Sequence, residues 1–343
     1  MNRICTVVGL SFCLCTFYTC VDPLGFKPEG DQRTLVVDGR LNAMDSMHTI
    51  KLSRTEAVGR SANFAAEAGA LVWIEDDAGA AFVFVEENFG SGAYELKQFK
   101  LDPNRIYLLN IELRDGTSYQ STPQLIPKPV PVDSGFIVFD KNEFITLFTQ
   151  FRIPTEEEGP YFKWRVEHVY QITDLMCGPF DKVVTCYFPN KQDNQLLPVF
   201  DGSRINRAEL VQKPLAMVPL IPDFYGEVTY FSIYQESLSK EAFQYWEKIN
   251  RLIEQTGSIF DAPPGEVISN IVNTRNKNDR ALGFFYITAE TIARVKTIAS
   301  DFFPVVVNPF CGEPGFPPMP FPIGCCSCGD ISANRIERPD YWK

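Results

Sequence analysis

Short runs of alternating apolar and polar residues, separated by turn residues, fill the chain from residue 34 to 122. The seven runs are TLVVDGRL, MHTIKLSR, ALVWIEDD, AAFVFVEE, AYELKQFK, RIYLLNIELRD and TSYQSTP. Strands of this length at close spacing are typical of an antiparallel sandwich. The pattern therefore predicts an N-terminal immunoglobulin-like or prealbumin-like β-sandwich over residues 34–122.

The sixth run shows the alternation most clearly. Tyr107, Leu109 and Ile111 alternate with polar residues, as expected for a strand with one buried face. Asp115 and Gly116 then separate this run from the seventh, and this dipeptide favours a tight turn between antiparallel strands. We therefore predict a hairpin at this position.

A proline-rich segment ends the first pattern. Residues 123–132 contain four prolines, which favour extended backbone and cannot continue a central strand. This segment is interpreted as a stiff linker to a second, larger domain over residues 133–343. Strand-like sequence patterns continue in this domain with FIVFD, EFITLFTQFRI, YFKWRVEHVYQIT, EVTYFSIYQESL and ALGFFYITAE. Between them, prolines are expected to interrupt any element over residues 187–225.

One segment of the second domain has the period of an amphipathic helix. Ser239 suits the N-cap, Glu241 suits the first turn, and Gly257 suits the C-terminal end. The predicted apolar stripe consists of Phe243, Trp246, Ile249 and Ile253. The fold class predicted for the chain is therefore mainly β, a β-rich α+β protein with one clear helix.

The first nineteen residues predict an export signal. Arg3 is their only charge, and residues 7–18 form an apolar stretch too short to span a membrane. Cys20 follows where the sequence becomes polar, which indicates a bacterial lipoprotein acylated on this cysteine. Residues 20–33 would then form the lipidated N-terminus and a tether. Phe17 and Thr19 replace the usual leucine and small residue, so an ordinary signal followed by an incidental cysteine stays open.

Composition narrows the classes of partner. The formal net charge is -11, and no stretch concentrates basic residues with aromatic ones, so nucleic acid is not expected as a partner. Hydrophobic content of 45% is sufficient for packed cores, and nothing after the signal is long and apolar enough to span a bilayer. Acyl chains would provide the only attachment to a lipid bilayer.

The cysteines support an oxidising destination. Ten are present, and six remain beyond the signal and Cys20. An even number of cysteines in an exported chain predicts disulfides. We pair Cys177 with Cys186 across a predicted hairpin and leave the other connectivity open. The six disulfide candidates are Cys177, Cys186, Cys311, Cys325, Cys326 and Cys328. A zinc site is the weaker alternative, because a C-C-x-C cluster lacks the usual spaced ligand pairs.

Candidate chemistry is sparse. The only histidines, His48 and His168, stand in strand-like segments without a ligand or carboxylate partner at functional spacing, so structural roles are expected. No motif of nucleophilic, metal-dependent or nucleotide chemistry is present, so the prediction names no catalytic residue, metal or cofactor. Asp45-Ser46-Met47 matches a short O-glycosylation sequon of exported Bacteroidota proteins, and a turn serine is the alternative for Ser46.

The C-terminal tail combines phenylalanines, prolines and cysteines. It is expected to pack over the second domain, and an exposed apolar surface for a partner is the alternative. The phenylalanines concerned are Phe310, Phe316 and Phe321.

Many of these segments resemble a family of Bacteroidota outer-membrane lipoproteins of unassigned function, encoded beside starch-utilisation-type TonB-dependent transporters. The resemblance rests on Cys20-Val21-Asp22-Pro23, LVVDGRL, IKLSRT, GALVWIEDDAG, YLLNIELRDGTSYQSTP, FQYWEKI, SIFDAPPGEVISNI, ALGFF and the ending Pro339-Asp340-Tyr341-Trp342. It covers nearly all of the chain after the signal. It implies an anchored protein facing the cell surface that assists a transporter.

The sequence and this resemblance together predict a non-enzymatic accessory component of TonB-dependent nutrient uptake. It would bind substrate or dock on the transporter. A structural subunit of another outer-membrane complex is the first alternative, and a hydrolase of glycans or peptides is the second, since two carboxylates suffice for glycoside hydrolysis.

Overall fold

The structure is a computed structural model that describes residues 33–55, 64–140, 144–154, 160–175, 182–191, 198–206, 208–221, 225–254, 267–302, 311, 325–331 and 335–343. Residues Thr34–Thr55 and Phe64–Lys343 belong to one compact unit, and the fold is described for this unit. It is mainly β with one α-helix among the described residues, so the predicted fold class is confirmed.

Nine strands lie in the first part of the chain. They are β1 (Leu35–Asn42), β2 (Met47–Arg54), β3 (Ala65–Ala66), β4 (Leu71–Asp76), β5 (Ala81–Glu86), β6 (Ala93–Lys97), β7 (Ile106–Glu112), β8 (Ser118–Ser121) and β9 (Gln124–Leu125). All seven predicted strands are present, because each hydrophobic run is short and closed by a turn. The predicted hairpin is also confirmed: β7 pairs antiparallel with β8, and Gly116 in the turn has φ 80°.

Nine further strands and the helix follow. They are β10 (Ser134–Asp140), β11 (Phe144–Arg152), β12 (Tyr161–Thr173), β13 (Thr185–Lys191), β14 (Val199–Asp201), β15 (Leu210–Pro219), β16 (Thr229–Leu238), α1 (Lys240–Glu254), β17 (Ile271–Asn273) and β18 (Leu282–Thr297). Short 3-10 turns span Gly202–Arg204, Ala299–Phe302 and Cys328–Asp330.

One sheet runs through most of the molecule. Its strand order is β13-β12-β16-β18-β1-β2-β6-β5-β4-β7-β8-β17, with β3, β9 and β14 attached at the side. The first core contains residues from distant positions on this path, such as Ile50 of β2 and Leu109 of β7. The sheet therefore bends over itself and encloses that core as a sandwich.

Strand β18 reaches from the first core to the second. Its first half pairs in parallel with β1, matching Val36 with Leu282 and Asn42 with Thr288. Its second half pairs antiparallel with β16. Phe285 of β18 is buried in the first core, so residues far along the chain complete the N-terminal sandwich.

A second core lies between the main sheet and a three-stranded sheet of order β10-β11-β15. The inward face of β12 contributes Phe162 and Trp164, and β16 contributes Ile233. Leu147 of β11 and Val218 of β15 face them from the smaller sheet. Alternation along these strands thus buries one face of each sheet.

The expectation that prolines interrupt any element over residues 187–225 is wrong. Strands β13, β14 and β15 lie within or overlap this range, and β15 contains Pro214. Strand β15 is at the edge of the three-stranded sheet, where a missing amide hydrogen is tolerated. Pro214 also lies opposite Phe148, beside a register shift between Leu147 and Phe148.

Helix α1 begins and caps as predicted. The Ala242 amide donates to Ser239 Oγ at 3.2 Å, which is the expected N-cap bond. Phe243 is buried, whereas Ile253 at the other end is exposed, so the predicted stripe is buried only in its first turns. Gly257 lies outside the described residues.

The proposed pairing of Cys177 with Cys186 is wrong. Cys186 of β13 is bonded to Cys328 in the tail, and a second disulfide joins Cys311 to Cys325. Cys326 is also disulfide-bonded, and Cys177 lies outside the described residues. The side chain of Cys186 faces a small core formed with the tail, so its partner is distant in sequence.

The described parts of the tail pack against the main sheet. Trp342 is buried, its ring lies 4.7 Å from that of Tyr230, and its Nε1 donates to Gln171 Oε1 at 3.0 Å. The Ile336 amide donates to the Tyr187 carbonyl at 2.9 Å. The segment for which packing was predicted, with Phe310, Phe316 and Phe321, lies outside the described residues.

Candidate functional site

A cleft of about 670 Å³ opens where helix α1 begins. The proline-rich segment forms one wall with Leu125, Ile126 and Pro127, and strand ends provide Tyr161 and Leu238. Leu125 is 63% exposed although it is fully apolar. Concave sites of this volume with apolar walls are where proteins usually hold small ligands.

Cations and hydroxyl groups stand among these apolar walls. Lys128 comes from the proline-rich segment and Lys240 from the first turn of α1, and both are exposed. Ser203, Ser237 and Ser239 add hydroxyl groups. Among the described residues that line the cleft there is no carboxylate.

Hydrogen bonds fix the proline-rich wall to the sheet. The Val130 amide donates to Ser237 Oγ at 3.3 Å, and the Val130 carbonyl accepts from Gln235 Nε2 at 2.8 Å and Thr291 Oγ1 at 2.9 Å. Val130 is itself buried. The wall is therefore held in place by strands β16 and β18 and does not depend on proline stiffness alone.

The opposite wall is fixed by the start of the helix. Ser239 accepts the Ala242 amide through Oγ and the Phe243 amide through its carbonyl at 3.0 Å. The ring of Phe243 stacks on that of Tyr161 with centroids 5.0 Å apart. The capped turn and this stacked pair set the position of Lys240 at the rim.

Behind the helix lies a buried charged network. Lys163 Nζ is 3.1 Å from Glu236 Oε2 and donates to Tyr286 Oη at 2.9 Å. The ring of Trp246 from α1 covers this lysine, with its centroid 4.2 Å from Nζ. Lys163, Glu236 and Tyr286 are all buried, so the helix excludes water from the network.

A partly exposed arginine from β1 completes the charge balance. Arg40 Nε lies 3.1 Å from Glu236 Oε1, and its Nη2 lies 2.7 Å from Glu290 Oε2. Arg165 approaches Glu290 to 3.7 Å from the other side. These ion pairs connect strands β1, β12, β16 and β18, and each carboxylate in them lies close to more than one cation.

The network changes the proton affinity of its members. Burial lowers the pKa of Lys163, and the nearby Glu236 offsets this only in part. Burial alone would raise the pKa of Glu236, but Lys163 and Arg40 outweigh it and hold this pKa below its usual value. Burial and Glu236 together raise the pKa of Tyr286 well above its usual value. Glu236 therefore stays ionised and paired.

Both histidines lie in apolar surroundings away from the cleft lining. His48 is buried, its Nε2 lies 3.1 Å from the Phe99 carbonyl, and burial lowers its pKa. His168 lies beside the rings of Tyr225 and Phe231, and burial lowers its pKa to about 4. Each histidine is placed to be neutral at pH 7.

The other predicted site residues are distributed over the molecule. Cys20 lies outside the described residues. Ser46 is exposed in the turn between β1 and β2, and its carbonyl accepts the Phe99 amide at 3.0 Å. The sequence interpretation missed the cleft, whose lysines come from separate segments. The sequence features that could have pointed to the cleft were the proline-rich segment around Lys128 and the helix N-cap before Lys240.

A family described as a domain of unknown function, DUF4249, matches residues 21–294. The chain belongs to the DUF4249 family. The match includes all residues that line the cleft and all members of the charged network. Both features therefore lie within the DUF4249 region and not in the tail.

Other comparisons add little to this family membership. No curated protein matches this DUF4249 chain. A solved structure described as "Cytokine receptor complex - Crystal form 1A" is similar at 10% identity, over 59% of this chain and 84% of its own, with a TM-score of 0.21. A similarity at that score supports no argument. Within the part of the chain that the structure describes, no helix is both long enough and apolar enough to cross a bilayer.

Proposed function

We propose that this DUF4249 protein is a Bacteroidota outer-membrane lipoprotein that faces the cell surface and assists a TonB-dependent transporter in nutrient uptake. It acts by binding substrate or by docking on the transporter, without catalysis or a cofactor. The observation that carries the proposal is Cys20, which follows the predicted export signal and directly precedes the family region at residue 21. Acyl chains on this cysteine would fasten the folded unit to the membrane.

The distance between the anchor and the first strand suits this role. Residues 21–34 separate Cys20 from β1, which begins at Leu35. Fully extended, such a segment reaches at most roughly 50 Å. The folded unit would thus stay within one protein diameter of the membrane while it reaches a neighbouring transporter.

The cleft at α1 supports a binding role. Its walls are fixed by hydrogen bonds and ring stacking, so little ordering is required when a ligand enters. Its volume of about 670 Å³ suits a small nutrient or one end of a larger one.

Acylation is tested by growing cells with a radiolabelled fatty acid. We expect wild-type protein to carry label and to partition into the detergent phase, and the Cys20→Ser variant to lose the label. Cys15→Ser is the matched control, since Cys15 lies within the apolar part of the signal. A labelled Cys20→Ser protein, or an unlabelled wild type, would refute the anchor.

Docking is tested separately by purification from detergent-solubilised outer membranes. We expect a TonB-dependent transporter to copurify with the wild-type protein. Recovery of a different membrane assembly in fixed stoichiometry, whatever the nutrient, would favour the structural alternative instead.

A further inference from the structure

We infer that the cleft at the start of α1 binds a small organic carboxylate with an apolar body. This inference deepens the proposed substrate-binding role by naming the class of ligand. It rests on three properties of the cleft: the charge of its lining, the exposed apolar surface on its walls, and its fixed shape.

The charge of the lining is opposite to that of the protein. The whole chain has a net charge of -11, yet the described lining contains Lys128 and Lys240 and no Asp or Glu. Asp201 lies beside the lining: its carboxylate accepts the Ser203 amide at 3.0 Å and is 3.2 Å from Arg204 Nε. The charged side chains among the described lining residues are thus the two lysines, whose positive potential favours an anion in the cleft.

The start of the helix adds to this attraction. Ser239 satisfies the amides of Ala242 and Phe243, while the amides of Lys240 and Glu241 precede the first helical hydrogen bonds. The fifteen-residue helix also places its positive end at the cleft. The side chain of Glu241 is exposed in the first turn and is not part of the lining.

The apolar walls define the rest of the ligand. Leu125 remains 63% exposed at the rim, and Ile126, Pro127 and Leu238 continue the apolar surface inward. Tyr161, whose ring stacks on that of Phe243, also lines the cleft. An aliphatic or aromatic body placed here would cover surface that water now contacts, which favours binding by about 25 cal/mol per Å².

Calorimetry with two probes of the same shape tests this inference. The probes are 2-naphthoate and its neutral counterpart 2-naphthamide, titrated into the mature chain, residues 20–343, with Cys20→Ser, which has neither the predicted signal nor acyl chains. We expect naphthoate to bind about tenfold more tightly at low salt, and this preference to shrink in 0.5 M salt because a Debye length of a few Å screens the lysines.

Two sets of variants separate charge from apolar contact. In the double variant Lys128→Gln/Lys240→Gln, the affinity for naphthoate should fall about tenfold, while the affinity for naphthamide should stay unchanged. In Leu125→Ser, the affinities for both probes should fall by the same factor. Lys248→Gln is the matched control, because Lys248 is exposed on the same helix outside the cleft lining.

Three outcomes would overturn the inference. These are no naphthoate binding up to about 10 mM, equal affinity for the amide, or equal weakening by Lys248→Gln. The result is independent of the anchor, since the protein tested is not acylated. If naphthoate does not bind, the results on acylation and transporter copurification are unaffected. If Cys20 is not acylated, the calorimetric measurement on the cleft is still valid.

Discussion

At the scale of single residues, burial decides which ionisable groups respond to pH. His168 lies on the inward face of β12 among Tyr170, Tyr225 and Phe231, while its neighbour Glu167 is half-buried on the other face beside Arg165. The opposite placement of these neighbours follows from strand alternation. Protonation of His168 would place a charge in an aromatic core.

The first prediction concerns stability at mildly acidic pH. The folded protein holds the pKa of His168 at about 4, whereas the unfolded chain protonates near 6.5. Stability is therefore fully present above about pH 7 and declines as pH falls toward 4, because the unfolded state binds the proton first. We expect His168 to account for about 2 kcal/mol of loss between pH 7.5 and pH 5.

Urea unfolding of the wild type and His168→Phe at both pH values measures this loss. The variant should lose less unfolding free energy on acidification than the wild type. His48→Phe is the control, and it should still show the loss that is due to His168. An unchanged pH slope in His168→Phe would contradict the prediction.

At the scale of elements, the close approach of β1 and β18 depends on glycine. Gly283 has φ 90°, and a Cβ there would lie 2.0 Å from the Val37 carbonyl oxygen. It is the second residue of β18 and pairs directly with Val37. The parallel pairing that joins the two cores thus requires a residue without a side chain.

The second prediction compares two glycines of similar conformation. Gly283→Ala should destabilise the protein by about 4 kcal/mol, because it adds a backbone clash to the cost of a positive φ. Gly79→Ala is the control, with φ 82° and nothing within 4 Å of a new Cβ. It should cost only about 1 kcal/mol. Equal losses in urea unfolding would show that conformation alone determines the effect.

At the scale of the whole molecule, covalent and aromatic contacts fasten the end of the chain to the main sheet. The disulfide between Cys186 and Cys328 attaches the tail to β13. Fourteen residues further on, Trp342 packs on the rings of Tyr187 and Tyr230. The last described residues are therefore part of the folded unit.

The third prediction measures the aromatic contact. Trp342→Ala should lower the free energy of unfolding by about 3 kcal/mol, through lost burial and the cavity left behind. Trp342→Phe should cost about 1 kcal/mol, because it keeps a ring but loses the bond to Gln171. Tyr341→Ala is the control, since Tyr341 is only half-buried. Similar losses for all three variants would contradict a specific role of Trp342.

The sequence predicts what local patterns determine. The strands of the first half and the cap at Ser239 follow from periodicity and turn residues within a few positions. The partner of Cys186, the pairing of β1 with β18 and the convergence of Lys128 with Lys240 join distant segments. Many distant pairings satisfy the same hydrophobic pattern, so only the assembled packing selects among them.

The parallel ladder between Val36–Asn42 and Leu282–Thr288 also fixes an order of events during biosynthesis. A ribosome or secretion channel delivers β1 early, but its neighbour emerges only after most of the polypeptide has passed. Until then the open edge of β1 is available to wrong neighbours, as in other chains rich in non-local pairings. Nascent N-terminal fragments should therefore need chaperone protection until residue 288 is released.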